Sequence, residues 1–107
     1  MDQEMSEAAS KLRPMVAPSR LTADHRLEFR RGVLAALEQA VRDEAGIVEL
    51  DLSATVEIDA SGLGVLILLQ KRARERAIVV RLHAVPGAVE QLLDATRLGP
   101  LFDIVRR

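Results

Sequence analysis

The chain has 107 residues, 49% of them hydrophobic, which is enough for one domain with a real core and too few for two. Its 15 Lys and Arg against 16 Asp and Glu leave a formal charge of -1, so no overall field favours nucleic acid or an anionic membrane, and with Phe29 and Phe102 as its only Phe, Tyr or Trp side chains it lacks platforms for base stacking. Cysteine is absent, which removes disulfides, thiol nucleophiles and Cys-ligated metal in one step.

No segment reaches the roughly 20 apolar residues that span a bilayer, and the opening Met1-Asp2-Gln3-Glu4 has no basic region followed by an apolar run. The expectation is a cytoplasmic protein with no direct membrane insertion. Residues 1–10 are polar, acidic and without periodicity, which reads as a flexible N-terminal tail, leaving 11–107 for the domain. Leu12 to Ala17 forms a short apolar stretch that could open the fold as a strand, demoted to an edge by Pro14.

A helix is predicted over 23–45, with Leu27, Leu34, Leu37 and Val41 on an apolar stripe beside Phe29, Val33, Ala36 and Ala40, and Gly46 standing where it should stop. Ile47 to Leu52 is rich in branched residues and reads as a strand, as does Ala77 to Leu82. Between them lie a loop and a second helix over 60–76. Pro86 suits the first turn of a third helix carrying Val89, Leu92 and Leu93 and closing near Gly99. Strand and helix alternate, the pattern of an α/β sheet with right-handed crossovers.

The most informative stretch runs from Ile58 to Leu69. A strand delivers the chain to Asp59, whose carboxylate can accept backbone N–H groups two or three residues on and so cap the second helix. If Asp59 caps, Ser61 lies in the first turn with its hydroxyl unclaimed and facing solvent; the other reading makes Ser61 itself the cap, or simply a small polar residue at a helix start. Behind it the helix is apolar on nearly every side, with Leu63, Leu66 and Ile67 on one stripe and Val65, Leu68 and Leu69 on another. A surface helix needs only one buried stripe, so an exposed patch for a partner is one reading and a helix packed between a sheet and a neighbouring helix is the other.

The run Val48-Glu49-Leu50-Asp51-Leu52-Ser53, then Ile58-Asp59-Ala60-Ser61-Gly62-Leu63-Gly64, then Leu92-Leu93-Asp94-Ala95-Thr96-Arg97-Leu98, resembles the STAS domain of bacterial anti-sigma-factor antagonists. The resemblance implies a STAS-like single α/β domain, a mixed β-sheet with helices in βαβαβα order. It implies a partner-switching protein that binds an anti-sigma factor with serine kinase activity and so regulates sigma-factor-dependent transcription, with a serine phosphatase to reset it. The phosphorylated serine would be Ser61, just before Gly62. Asp59 would serve as helix cap and local charge, and Ala60, Gly62, Leu63, Leu66 and Ile67 would face the partner. The pattern more often reads Asp-Ser-Ser-Gly, where this chain has Ala60 in the middle. Before the first helix, relatives usually carry Gly-Glu-Leu-Asp, and the matching stretch here is Ser19-Arg20-Leu21-Thr22, which places Thr22 at the acidic position and makes Asp24 a nearby substitute.

Other chemistries fare worse. A phosphate-accepting receiver domain needs an acidic pair after its first strand, and 12–20 offers none. Gly62-Leu63-Gly64 would need a third glycine where Ile67 stands to read as a dinucleotide turn. His25 and His83 are far apart in sequence, so neither a metal site nor a catalytic triad is expected. Glu57 with Asp59 imitates a carboxylate pair, but a loop residue and a cap account for them. The expectation is a protein without catalytic residues, cofactor or metal. Its alternatives within the fold are a STAS accessory subunit of an ABC lipid transporter, against which Ser61 argues, and a scaffold subunit of a stress-signalling complex.

Overall fold

The computed structural model describes residues 14–106; the expected tail over 1–10 and the first residues of the expected opening strand lie outside them. Among these described residues, nine helices and strands follow one another: β1 (Met15–Val16), β2 (Arg20–Leu21), α1 (Arg26–Arg42), β3 (Ile47–Asp51), β4 (Glu57–Ile58), α2 (Ala60–Glu75), β5 (Val79–His83), α3 (Gly87–Thr96) and β6 (Asp103–Ile104). Short 3-10 turns, Ala23–His25 and Gly99–Leu101, precede α1 and follow α3.

The strands form two groups, one ordered β1-β3-β5-β6 and one pairing β2 with β4. Every pairing among the described residues is parallel; the antiparallel member that a mixed sheet would need is not among them. β3 and β5 are in register over their full length, with Val48 opposite Val80 and Leu50 opposite Leu82. Because side chains alternate along a strand, these four share one face, and all are buried. The opposite face carries charge. Arg81 Nε lies 2.7 Å from Asp103 Oδ2, and His83 Nε2 lies 2.7 Å from Glu49 Oε1.

The buried line of α1 is Phe29, Val33, Leu37 and Ala40, at helical spacing. Leu27, expected on that stripe, is 66% exposed. The α-helix starts at Arg26 rather than 23, and Leu27 falls off the line that faces the core. The helix also ends before Gly46: Asp43 is the C-cap, and Glu44, at φ 52, already turns the chain left-handed. α3 closes in the same way, at Arg97 with φ 58, where the Leu98 N–H donates to the Leu93 carbonyl at 2.9 Å; Gly99 only begins the next turn.

α2 packs against α1 on one side and against β2, β4 and β5 on others. That position explains why it is apolar on two stripes, and it corrects the expected docking patch. Leu66 and Leu69 are fully buried, with Leu63 at 7% and Val65 at 3% exposure. Leu63 and Leu66 therefore hold the core and are closed to a partner, while Ile67 is half-buried at its edge. Burying a side chain of this size stabilises a fold by about 1.5–3 kcal/mol.

Candidate functional site

The short parallel pair β2 and β4 sets Arg20 opposite Glu57 and Leu21 opposite Ile58. An exposed ion pair, Arg20 Nε to Glu57 Oε1 at 3.6 Å, accompanies that register. Each strand then gives way to a helical segment at the same edge of the molecule. β2 leads through Thr22 into the Ala23–His25 turn, and β4 leads through Asp59 into α2.

Asp59 joins the two. It is the N-cap of α2, and its Oδ1 accepts from the Ser61 N–H at 2.8 Å and the Gly62 N–H at 3.2 Å. Its Oδ2 accepts from the Ala23 N–H at 3.1 Å, across 36 positions of sequence. One carboxylate thus satisfies donors that the first turns of two helical segments would otherwise leave free. Desolvation opposes its ionisation, but the N–H groups of Ala23, Gly62 and Ser61 outweigh that and hold the carboxyl below the usual aspartate value.

Gly62 serves the same junction. A Cβ added there would lie 2.0 Å from the Leu21 carbonyl oxygen and 2.7 Å from the Leu21 Cβ, so only glycine lets β2 pass this close to the first turn of α2. Gly62 is buried, which makes it a packing residue; it is not available as the partner contact expected of it. Gly64, two positions on, meets nothing within 4 Å and is exposed.

Ser61 is half-buried. Its N–H is taken by Asp59, and its hydroxyl has no hydrogen-bond partner among the described residues. Ala60 beside it is exposed, as is Asp24 on the facing turn. Thr22 is half-buried there, with its Oγ1 3.5 Å from His25 Nδ1. Thr22, Asp24, Asp59, Ala60 and Ser61 thus share one edge, although sequence separates them into two groups. Leu27 on the first turn of α1 and Val56 just before β4 are 66% and 73% exposed. Sequence reasoning missed both: Leu27 at helical spacing reads as core, and Val56 falls in the stretch read as a loop.

His25 and His83 do not meet: one neighbours Thr22 and the other neighbours Glu49. Among the described residues, no three His, Cys, Asp or Glu side chains gather as a metal site, and no helix is long and apolar enough to cross a membrane.

The family model described as "Mlab, STAS domain" matches residues 8–105. The chain belongs to the STAS domain family. Among solved structures, a Thermotoga maritima protein assigned as an anti-sigma factor antagonist superposes with a TM-score of 0.70 at 21% identity, over 86% of this chain and 78% of that one. The likeness shows that the STAS architecture is shared. No curated protein matches the chain. The STAS fold was readable from the Asp59 to Gly64 motif and the order of the elements around it.

Proposed function

We propose that this STAS domain is a partner-switching protein: it docks on an anti-sigma factor with serine kinase activity through the edge formed by Thr22–His25 and Asp59–Ser61, and phosphorylation of Ser61 releases it. The observation that carries the reading is the Ser61 hydroxyl, without a hydrogen-bond partner among the described residues, in the first turn of α2 beside a carboxylate that caps that same turn. The docking surface comprises Thr22, Asp24, Ala60 and Ser61, with the exposed Leu27 and Val56 nearby in sequence to its two halves.

The partner supplies the chemistry. Its bound ATP transfers the γ-phosphoryl group to Ser61 Oγ, ADP leaves, and the hydroxyl proton passes to a base of the kinase. The product carries about -1.5 to -2 charges at neutral pH. At the N-terminus of α2 the free N–H groups and the dipole accommodate such an anion, so the free domain stays folded. At an interface the same charge must lose water beside the Asp59 carboxylate, and binding weakens. A serine phosphatase restores the binding form. The domain therefore acts in the cytoplasm, as a regulator of transcription without catalytic residues of its own.

The "Mlab" description of the matching family model favours a second reading, an accessory STAS subunit of an ABC lipid transporter. Ser61 before Gly62 weighs against it. The two separate in one experiment: the domain is incubated with the host's histidine-kinase-like anti-sigma factor and ATP, and its mass and phosphorylated position are read by mass spectrometry. The switch predicts one phosphate, on Ser61, and none on Ser61→Ala. An unmodified Ser61, together with stable co-purification on the transporter's ATPase subunit, would establish the second reading instead.

A further inference from the structure

The 3-10 turn that leads into α1 and the first turn of α2 meet at the Asp59 junction, and the C-terminal halves of the two helices line a common groove, so the helices run side by side in the same direction. The groove lies at the end away from Ser61. It encloses about 410 Å³, with Leu34, Leu37 and Val41 as its floor and Arg42, Arg72 and Arg76 on its rim. Leu37 is buried, whereas Leu34 and Val41 remain half-exposed, so apolar surface is open at the bottom of a cationic cleft.

The charge there departs from that of the chain. The groove's charged lining is Arg42, Arg72 and Arg76 with Glu38 and Glu75, three cations against two anions in a protein whose net charge is -1. Arg20, Arg81 and Arg106 each have a carboxylate partner. Among the described residues, the groove arginines Arg42, Arg72 and Arg76 have none within 4.0 Å, as is true also of Arg26, Arg30, Arg31 and Arg97 elsewhere, although Arg42 donates to the Gln39 side-chain carbonyl at 3.0 Å. Basic residues in a last turn complement the helix dipole. The dipole alone gives no reason for guanidinium groups from two helices to flank one apolar groove.

We propose that this groove is a second docking site, independent of the Ser61 switch, for an acidic amphipathic helix of a partner protein. Leucine-sized side chains of such a helix would cover Leu34 and Val41, and its carboxylates would pair with Arg42, Arg72 and Arg76, for which planar bidentate geometry is available. Glu38 and Glu75 also stand on the rim. A folded helix can set its carboxylates at the three arginines and keep them from these two glutamates, whereas a continuous anionic headgroup layer meets all five at once; the groove also has no aromatic side chain on which a base could stack. Arg72 lies eleven residues beyond Ser61 on α2, roughly 16 Å along the axis, so both sites can be occupied at once.

The test uses a fluorescein-labelled helical peptide of Leu and Glu in amphipathic order, followed by anisotropy on the full chain, with a Leu and Lys peptide of equal length and vesicles rich in phosphatidylglycerol as comparisons. The Leu and Glu peptide should bind, and its affinity should fall at least about tenfold in the Arg72→Glu, Arg76→Glu double variant and in high salt. Arg72→Gln with Arg76→Gln should give a smaller loss in the same direction. The Gln variant should keep the wild-type melting temperature, the Glu variant should melt slightly lower because it sets acids at a helix C-terminus, and Ser61→Asp should bind the peptide as wild type does. Absence of peptide binding, equal binding by the Lys peptide, preference for the vesicles, or an affinity unchanged in both double variants would overturn the proposal while leaving the Ser61 switch untouched.

Discussion

The first turn of α2 and the turns directly behind it are neighbours in sequence and opposites in construction. Asp59, Ala60 and Ser61 are open or half-open at the edge of the molecule, held by hydrogen bonds to backbone N–H groups. Leu63, Val65, Leu66 and Leu69 are closed between α1 and the sheet and held by packing. Gly62 is the border, buried against the Leu21 carbonyl. The difference separates two jobs that a motif read as a string would merge: in the proposed switch the leading residues meet the partner, and the leucines behind them keep the platform rigid.

Four substitutions sharpen the contrast, in descending order of effect. Leu66→Ala empties a fully buried position and should cost about 2–5 kcal/mol, read as a large fall in the denaturant midpoint; a loss of partner affinity with an unchanged midpoint would return Leu66 to the surface. Gly62→Ala drives a methyl group into the Leu21 backbone and should cost about 1–3 kcal/mol, with β2 displaced from the first turn of α2. If the variant melts as wild type does, the close approach is not a constraint.

Asp59→Asn should have a smaller effect, visible mainly in its pH dependence. The folded carboxyl titrates below its ordinary value of 3.8, so the stability it contributes is fully present above that value and is lost as pH falls through the lower folded one. Wild type should lose more stability than Asp59→Asn between about pH 5 and pH 2, and parallel acid-unfolding curves would show that the cap carries no such linkage. Gly64→Ala should be the mildest and of opposite sign, because the site is open and alanine is the better helix former by about 0.5–1 kcal/mol. A small rise in melting temperature should follow; a fall comparable to that of Gly62→Ala would mean that the two glycines play the same part.

Much of this was legible in the sequence where the cause is local. A carboxylate two residues before a serine at the start of an apolar helix identifies the cap at Asp59, and the branched residues of Ile47 to Leu52 give a strand, which the structure forms over Ile47–Asp51. What escaped depends on long-range packing. Two apolar stripes on α2 do not reveal whether the second faces solvent or another helix, and α1 decides it. The Asp59 to Ala23 bond joins residues 36 apart, so nothing near Thr22 in sequence announces that this turn belongs to the same edge as Ser61. Leu27 fits a seven-residue repeat with Leu34 and Val41 and still lies outside, because the face that meets the core is centred on Phe29, Val33, Leu37 and Ala40.

The most direct test is calorimetric titration of the purified anti-sigma factor with three forms of the domain: unmodified, enzymatically phosphorylated on Ser61, and Ser61→Ala. The account predicts that the unmodified and Ser61→Ala forms bind alike and that the phosphorylated form binds roughly a hundredfold more weakly, equivalent to about 3 kcal/mol, with its melting temperature retained. Equal affinities for all three forms would contradict it and leave Ser61 as a small residue at a helix start.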